Sequence, residues 1–250
     1  MVKLGIVQTA SYSSNQQAIK KTSQVIDLLG RNECDIVTFP EQWLQNNQVS
    51  DFEFEFKNFK SIARDYCMTV IPGAFYERQM HKVVISAPVI GPNGEIIGKQ
   101  EKIHPFDYEQ KVVTAGNEAK VFKTICKFGI IVCYDMVFPE VAYFLVRNGA
   151  EILVSPSRIV KRGIYPWHLY VQVRALENRI PILAANIENY RFGGKSIIVD
   201  LTENNGIVLP KIITNLKGEE SKIREFNLKK YKKSRKIRFL DKRKFSQRTP

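Results

Sequence analysis

The sequence contains no long apolar run, and this absence argues against a membrane-spanning protein. No stretch approaches the roughly 20 consecutive apolar residues that a transmembrane helix requires. The first ten residues, MVKLGIVQTA, lack the long apolar core and small-residue cleavage site of a signal peptide, and they are typical of a β-strand. We therefore expect a cytoplasmic protein that has no membrane partner.

Cysteine is also scarce, because only four occur in 250 residues. They form no CxxC pair and show no spacing typical of a metal site, so we expect no metal. Free thiols are typical of proteins in the reducing cytoplasm. The four are Cys34, Cys67, Cys126 and Cys133.

Acidic residues are too few to balance the basic ones, and the imbalance is local. The net charge is +13, of which residues 217–250 contribute +10 through 14 Lys or Arg against 4 Asp or Glu. This basic C-terminal segment lacks the interleaved aromatic residues and glycines of a single-strand RNA binder. We interpret it as a solvated charged surface and do not expect nucleic acid as a partner, although a weak affinity for anionic surfaces stays open.

The chain does contain alternating strand and helix patterns over its whole length. Its 250 residues, 44% of them hydrophobic and 25% charged, suit one globular α/β domain over 1–250. The patterns predict about a dozen short strands in two sheets, with four helices outside. Strands are expected at 3–8, 36–39, 68–77, 82–91, 96–100, 128–133, 151–155, 181–186, 195–201, 206–209 and 223–228, and helices at 18–29, 51–66, 139–148 and 167–179. Alternating phenylalanines at the start of the 51–66 segment would equally suit a strand.

One cysteine lies where a thiol could react. The segment GIIVCYDMVFPE predicts a buried strand that ends at Cys133 and a helix that begins at Pro139. A packing cysteine could lie anywhere along a strand, whereas a reactive one needs an exposed strand end with free backbone N–H groups nearby. The other three cysteines are interpreted as inert, small apolar fillers.

Two further titratable residues follow apolar strands in the same way. Glu41 follows DIVTFP and Lys102 follows the strand at 96–100, and strand ends of α/β sheets gather where ligands bind. A glutamate could take the thiol proton. A nearby lysine lowers the thiol pKa and stabilises an oxyanion. The backbone N–H of Tyr134 would be a second donor to that oxyanion. Spacing alone leaves open a buried cysteine with an unrelated surface Lys and Glu.

Three segments, in chain order, resemble the motif blocks of the nitrilase or carbon–nitrogen hydrolase superfamily: FPEQW, GKQEKIHPF and GIIVCYDMVFPE. The likeness covers nearly the whole chain, because GIVQTA, RNGAEILVSPS, WHLYVQVRALENRIPILAANI and GGKSIIVD resemble further blocks. The resemblance implies that Glu41 is the general base, Lys102 the oxyanion-stabilising lysine and Cys133 the nucleophile. Glu109 aligns with a second family glutamate, which orients the lysine or positions the substrate nitrogen, although a plain surface glutamate is the alternative.

The resemblance also implies an architecture and an activity. The fold would be a four-layer α-β-β-α sandwich of two mixed sheets that forms a homodimer or higher homo-oligomer, with the basic C-terminal segment a candidate to cross onto the partner. The activity would be hydrolysis of a non-peptide C–N bond in a small amide through a cysteine thioester, without a cofactor. A nitrilase or N-carbamoyl hydrolase with the same triad is one alternative, and a non-enzymatic binding protein that uses its basic tail is another.

Two positions depart from the family pattern. The motif of ω-amidase-like members has an arginine, expected to hold a substrate carboxylate, where this chain has Val137. We therefore expect a less charged acyl group. Family members usually have an asparagine in the hairpin, where this chain has His81, Lys82 and Val83. A hydrogen bond that shapes the pocket is therefore expected to be missing.

Several residues near these motifs receive lesser roles. Tyr134, Phe138 and Trp167 are predicted to line the substrate pocket, with core packing as the alternative for Phe138 and Trp167. His104 lies close to Lys102 but is not expected to act as a base, and Asp135 is expected to anchor the turn after the nucleophile. Arg174, Glu177 and Asn178 are expected to be structural, and Ser196 is assigned no chemistry.

Overall fold

Two β-sheets pack face to face in the computed structural model, which describes residues 1–240, and helices cover both outer surfaces. The strands are β1 (Val2–Gln8), β2 (Ile36–Thr38), β3 (Gln48–Val49), β4 (Thr69–Ile71), β5 (Phe75–Gln79), β6 (Lys82–Ile90), β7 (Ile96–Glu101), β8 (Val121–Lys123), β9 (Lys127–Ile130), β10 (Ile152–Pro156), β11 (Ile182–Ala185), β12 (Ile197–Asn204), β13 (Ile207–Asn215) and β14 (Glu220–Phe226). The helices are α1 (Asn15–Arg31), α2 (Phe52–Glu55), α3 (Lys57–Asp65), α4 (Pro139–Arg147), α5 (Ile164–Asn178) and α6 (Lys229–Leu240).

Both sheets mix parallel and antiparallel strands. The first has the order β14-β1-β2-β4-β6-β5-β3 with β7 beside β6, and its β1, β2 and β4 are parallel. The second has the order β13-β12-β11-β10-β9-β8, with β9, β10 and β11 parallel. Helices α1 and α3 lie outside the first sheet and α4 and α5 outside the second. The predicted fold class, two mixed sheets with helices outside, is confirmed.

Side chains of the first sheet alternate between two separate cores. Ile36 and Ile71 point into the core shared with the second sheet, whereas their neighbours Val37 and Val70 point into the core beneath α1–α3. This alternation follows from the two-residue repeat of a strand. Both faces of the central strands are therefore buried, which explains their continuous apolar sequences.

Two predicted elements are each divided in the structure. The helix expected at 51–66 is two helices, α2 and α3, that meet at Phe56. The strand expected at 68–77 is β4 and β5, separated by Pro72 and Gly73. Gly73 has a φ of +117°, and a Cβ there would lie 2.1 Å from the carbonyl oxygen of Pro40, so this tight crossing requires glycine.

The strand that leads to the proposed nucleophile is shorter than the sequence suggests. Its ladder ends at Ile130, although the N–H of Ile131 still donates to the carbonyl of Val154 at 2.9 Å. The chain then turns into a 3₁₀ helix over Cys133–Val137. Cys133 was predicted to be the last residue of a strand. That prediction is wrong, because Cys133 is the first residue of the turn.

The described part of the basic C-terminal segment folds onto its own chain. Strand β14 overlaps the strand predicted at 223–228 and pairs with β1, whereas α6 was not predicted. In α6, Arg235 donates to the carbonyls of Arg179 at 3.2 Å and Ala150 at 3.1 Å. Residues 241–250 lie outside the described residues, so the proposed crossing to a partner stays a prediction. No helix within 1–240 has the length and apolarity needed to span a bilayer.

Candidate active site

The three residues proposed as a triad follow three strands drawn from both sheets. Glu41 comes after β2 and Lys102 directly after β7, both in the first sheet, whereas Cys133 comes after β9 in the second. Backbone hydrogen bonds fix these positions: the N–H of Glu41 donates to Ser157 at 3.1 Å, and that of Lys102 to Ile85 at 2.8 Å. The site therefore straddles the two sheets.

The side chains of these residues meet in one buried cluster. Lys102 Nζ lies 2.9 Å from Glu41 Oε1 and 2.8 Å from Glu109 Oε2. The thiol of Cys133 lies beside the Glu41 carboxylate and the backbone N–H of Arg158, close enough for both to affect its pKa. Glu41, Lys102 and Glu109 are each at most 2% exposed. Such buried charges persist only when paired and hydrogen-bonded, as they are here.

Glu109 reaches the cluster from a 3₁₀ helix over Asp107–Lys111. Its Oε2 also accepts a hydrogen bond from the N–H of Phe106 at 2.7 Å, so the carboxylate holds Lys102 from a fixed direction. Because Glu109 is buried, the alternative of a plain surface glutamate is wrong.

The turn that carries Cys133 is held from two sides. Asp135 accepts hydrogen bonds from the N–H groups of Ile103 at 3.1 Å and His104 at 2.7 Å, which ties the turn to the segment after Lys102. Arg174, on α5, donates to the carbonyls at 136 and 137 at 3.1 and 2.6 Å. Cys133 itself has a φ of +48°, a strained conformation that active sites often use to present a side chain.

Burial and charge set the protonation of the cluster. Burial raises the pKa of the Cys133 thiol well above its usual range, and the nearby Glu41 charge raises it further, so the lowering effect of Lys102 is outweighed. Burial likewise raises the pKa of Glu41, against the effect of Lys102. Burial opposes the charged form of Lys102, but the charges of Glu41, Cys133 and Glu109 hold its pKa well above normal. The resting thiol is therefore neutral: Lys102 lowers the thiol pKa, as expected, but burial and the Glu41 charge outweigh that effect.

A cavity of about 330 Å³ opens onto this cluster. Glu41, Lys102, Glu109 and Cys133 form its polar end, and apolar or aromatic side chains form most of the remaining wall. These include Phe106, Tyr108, Tyr134, Met136, Val137 and Trp167. A polar end within an apolar cavity is the usual form of a small-molecule site.

Comparison with known proteins agrees with this geometry. The family model for carbon-nitrogen hydrolases matches residues 3–217. The chain belongs to the carbon–nitrogen hydrolase family. It is 31% identical to a probable nitrilase of Schizosaccharomyces pombe over 73% of this chain and 74% of that one. It is 26% identical to the ω-amidase NIT2 of Pongo abelii over 74% of each chain.

Solved structures support the same fold. A carbon-nitrogen hydrolase from Helicobacter pylori G27 superposes with a TM-score of 0.84 at 23% identity, covering 97% of this chain and 95% of that one. At this identity the match concerns the fold alone. With the matched family model, it identifies the two-sheet scaffold as that of a carbon–nitrogen hydrolase.

The predicted pocket residues differ in where they lie in this hydrolase. Tyr134 and Trp167 line the cavity, whereas Phe138 is not among the lining residues. Phe138 instead stacks on the ring of His104 with a centroid distance of 3.6 Å. The His104 ring also lies 2.8 Å from Asp135 Oδ1, so it supports the nucleophile turn and does not face the thiol.

The other cysteines differ in exposure. Cys34 and Cys126 are buried, and burial raises the pKa of each to about 12, so both suit the predicted inert role. Cys67 is exposed, with a φ of +51° at the end of α3, so its interpretation as a packed filler is wrong. Within residues 1–240, no group of His, Cys, Asp or Glu side chains could hold a metal ion.

Sequence reasoning missed one cavity residue that its own rule could have found. Arg158 follows β10 just as Glu41 follows β2, and it lines the cavity beside the nucleophile. A second arginine, Arg191, also lines the cavity from an exposed position. The absence of an arginine at position 137 therefore does not leave the cavity without guanidinium groups.

Proposed function

We propose that this carbon–nitrogen hydrolase is an amidase that cleaves a small, non-peptide amide through a thioester on Cys133. The observation that carries the proposal is the buried cluster at the cavity, in which Glu41 pairs with the Lys102 ammonium and lies beside the Cys133 thiol. The relatives named above, a probable nitrilase and an ω-amidase, are consistent with this chemistry.

Acylation would begin from the neutral thiol. As the sulfur of Cys133 attacks the amide carbon, its proton passes to Glu41, and a tetrahedral oxyanion forms. The Lys102 ammonium and the N–H of Tyr134, early in the 3₁₀ turn, would stabilise that oxyanion. The amide nitrogen then takes the proton from Glu41, the C–N bond breaks, and ammonia or an amine leaves.

Deacylation would use the same groups with water as the nucleophile. Glu41 takes a proton from water as the water oxygen attacks the thioester carbon. The second oxyanion collapses, the C–S bond breaks, and the proton returns to the sulfur. The acid is released and the resting thiol is restored. The raised pKa of Glu41 suits a group that accepts and returns a proton in both halves.

Glu109 would position Lys102 throughout the cycle. Its carboxylate is fixed by the N–H of Phe106 and faces the ammonium at 2.8 Å. Without it, the lysine would be paired with Glu41 alone and could neutralise the base. A second carboxylate therefore leaves Glu41 free to exchange protons with the sulfur.

Two other functions use the same fold. A nitrilase or an N-carbamoyl hydrolase also starts by attack of the cysteine sulfur on an electrophilic carbon, so the triad does not separate them from an amidase. The second alternative is a non-enzymatic protein. It would bind nucleic acid or an acidic partner through residues 217–250. That protein would show salt-dependent binding that survives Cys133→Ala and is lost on deletion of residues 229–250.

The test is an ammonia-release screen across small amides, nitriles and N-carbamoyl compounds. Amides converted to acid and ammonia by the wild type, and not by Cys133→Ala, would support the proposal. Turnover of nitriles alone, or release of carbon dioxide with ammonia, would replace it with one of the alternatives. Persistent turnover by Cys133→Ala would reject the thioester.

Two broader expectations also stay proposals. We propose the cytoplasm as the compartment, on the ground of four free cysteines, one of them the nucleophile. A homodimer is proposed from family resemblance, and analytical ultracentrifugation of the full chain would test it.

A further inference from the structure

The cavity that opens onto the charged cluster is also lined by an arginine, Arg158, that lacks a carboxylate partner among the described residues. Arg158 makes one side-chain hydrogen bond within residues 1–240, from Nη1 to Gln42 Oε1 at 2.7 Å. Its guanidinium lies 4.4 Å from the centroid of the Phe192 ring. No salt bridge within those residues involves it. One edge and one face of the guanidinium are thus held, while the edge formed by Nε and Nη2 has no partner.

Two buried N–H donors of the cavity lining have no partner among the described residues. They are Arg158 Nε and Trp167 Nε1. Trp167 is only 4% exposed. Both atoms are N–H donors, and a buried donor without an acceptor is costly unless a ligand or water supplies one. A ligand with a hydrogen-bond acceptor near these two N–H groups would therefore be stabilised.

The charges lining the cavity favour an anionic acceptor. Lys102, Arg158 and Arg191 are cations and Glu41 and Glu109 are carboxylates, so the cavity has one excess positive charge when the thiol is neutral. Lys102 already has two carboxylates as partners. The excess positive charge therefore belongs to the two arginines, which have no carboxylate partner among the described residues.

We propose that Arg158 is a specificity-determining residue that binds a carboxylate carried by the acyl chain of the substrate. The free edge of a guanidinium matches a carboxylate in a bidentate geometry. Because Nε is shielded from solvent in the free protein, a small side-chain adjustment accompanies binding. This inference rests on the proposed amidase function, and it runs against the expectation, drawn from Val137, of a less charged acyl group.

The position of Arg158 limits the length of that acyl chain. Its backbone N–H lies beside the sulfur of Cys133, so the guanidinium and the nucleophile are separated by at most about one arginine side chain. A chain of a few carbons between the amide carbon and the carboxylate fits this separation. Gln42, which holds the guanidinium, directly follows the proposed base Glu41, so the anchor and the catalytic cluster share one support.

The experiment compares succinamate with succinamide, which differ only by a carboxylate in place of a neutral amide. We expect the wild type to prefer succinamate, and Arg158→Met to lower its kcat/KM for succinamate by about 10- to 100-fold, mainly through KM. The kcat/KM for succinamide should change by less than about threefold. Equal losses on both substrates would mean a structural role and would overturn the proposal.

Three variants separate direct contact from general electrostatics. Arg158→Lys keeps the positive charge but cannot bind a carboxylate in a bidentate geometry, so we expect an intermediate loss of kcat/KM for succinamate. Trp167→Phe keeps the ring and removes the N–H, so we expect a smaller loss confined to succinamate. Arg162→Met removes an exposed charge from the neighbouring turn, outside the cavity. It should leave both substrates unaffected, and a loss equal to that of Arg158→Met would overturn the proposal.

Binding gives a readout that does not need turnover. Calorimetry of succinamate with Cys133→Ala and with Cys133→Ala/Arg158→Met should show at least tenfold weaker binding by the second. Equal affinities would reject Arg158 as the anchor even in a protein that hydrolyses other amides. If the wild type hydrolysed no amide while Arg158 still controlled carboxylate binding, only the proposed function would fail.

Discussion

Phe39 and Glu41 are two residues apart in the chain, yet they belong to regions stabilised in opposite ways. Phe39 lies in an aromatic cluster beneath α1–α3, with ring centroids 5.6 Å from Trp43 and 5.5 Å from Phe59. Glu41 lies in the charged cluster with Lys102. Pro40 lies between them, where the chain passes from the aromatic cluster to the charged cluster.

The comparison indicates what each region contributes. Burial of aromatic surface stabilises the fold, and ring pairs add to it. Burial of Glu41 and Lys102 costs desolvation free energy that their attraction offsets only in part. The aromatic cluster therefore serves as the rigid support that holds an unfavourable charged arrangement in position for chemistry. Substitutions should accordingly alter stability in one region and activity in the other.

The largest effect is expected from Cys133→Ala. Loss of the sulfur removes the only atom proposed to form the thioester, so amide hydrolysis should be abolished, while the thermal midpoint should change little. Steady-state ammonia release and circular dichroism would measure the two properties. Cys126→Ala, another buried cysteine change, is the matched control and should retain activity. Full activity in the Cys133 variant would disprove the mechanism.

Phe59→Ala should mainly reduce stability. Removal of a fully buried ring that contacts Phe39 and Phe56 should lower the free energy of unfolding by about 3–5 kcal/mol. Urea denaturation would measure it. Phe54→Ala is the control, because that ring is 68% exposed and its loss should cost little. Similar losses from both variants would contradict the assigned role of the cluster.

Glu109→Gln should shift the pH dependence of the reaction. Burial raises the pKa of Glu41 most, Lys102 opposes that shift, and the charge of Glu109 raises the pKa further. A general base must be deprotonated, so activity is lost as the pH falls through this raised pKa. Neutralising Glu109 lowers the pKa of Glu41, and the acid limb of kcat/KM should move to lower pH. Glu140→Gln, at an exposed site, should leave the limb in place, and an unmoved limb in both would contradict the coupling.

The smallest effect is expected from a chelator. The mechanism uses side chains and water, so EDTA should leave the rate of ammonia release unchanged. Inhibition that zinc reverses would indicate a metal requirement. A cysteine alkylator provides the contrasting treatment: iodoacetamide should inactivate the enzyme by reaction at Cys133, with exposed Cys67 modified without effect.

Much of the fold was predictable because its strands are short, apolar and bounded by clear turns. Boundaries failed where tertiary contacts overrode local preference. The chain leaves β9 after Ile130 because the sheet ladder ends there, although Ile131 and Val132 continue the apolar sequence. Helix α6 was missed because its sequence is dominated by lysine and arginine, and its position depends on contacts such as that of Arg235 with Arg179.

The candidate site was predictable to the extent that its residues follow strands. That rule located Glu41, Lys102 and Cys133, and the family resemblance added Glu109. It did not reveal that Phe138 stacks on His104, since adjacent positions in a turn point in different directions. Arg158 also follows a strand, β10, but it was missed because the rule was applied only where a motif of the family resemblance accompanied the strand end.

The sequence by itself determined which residue types were available: a thiol, two carboxylates and an ammonium, each beside an apolar strand. Local pattern suffices for this, because strand periodicity and turn residues are short-range properties. Only the tertiary structure decided that these groups meet across two sheets, that burial keeps the thiol neutral, and that an arginine with an unpartnered edge faces them. Distances between residues far apart in the chain, and the desolvation that follows from them, depend on how the two sheets pack.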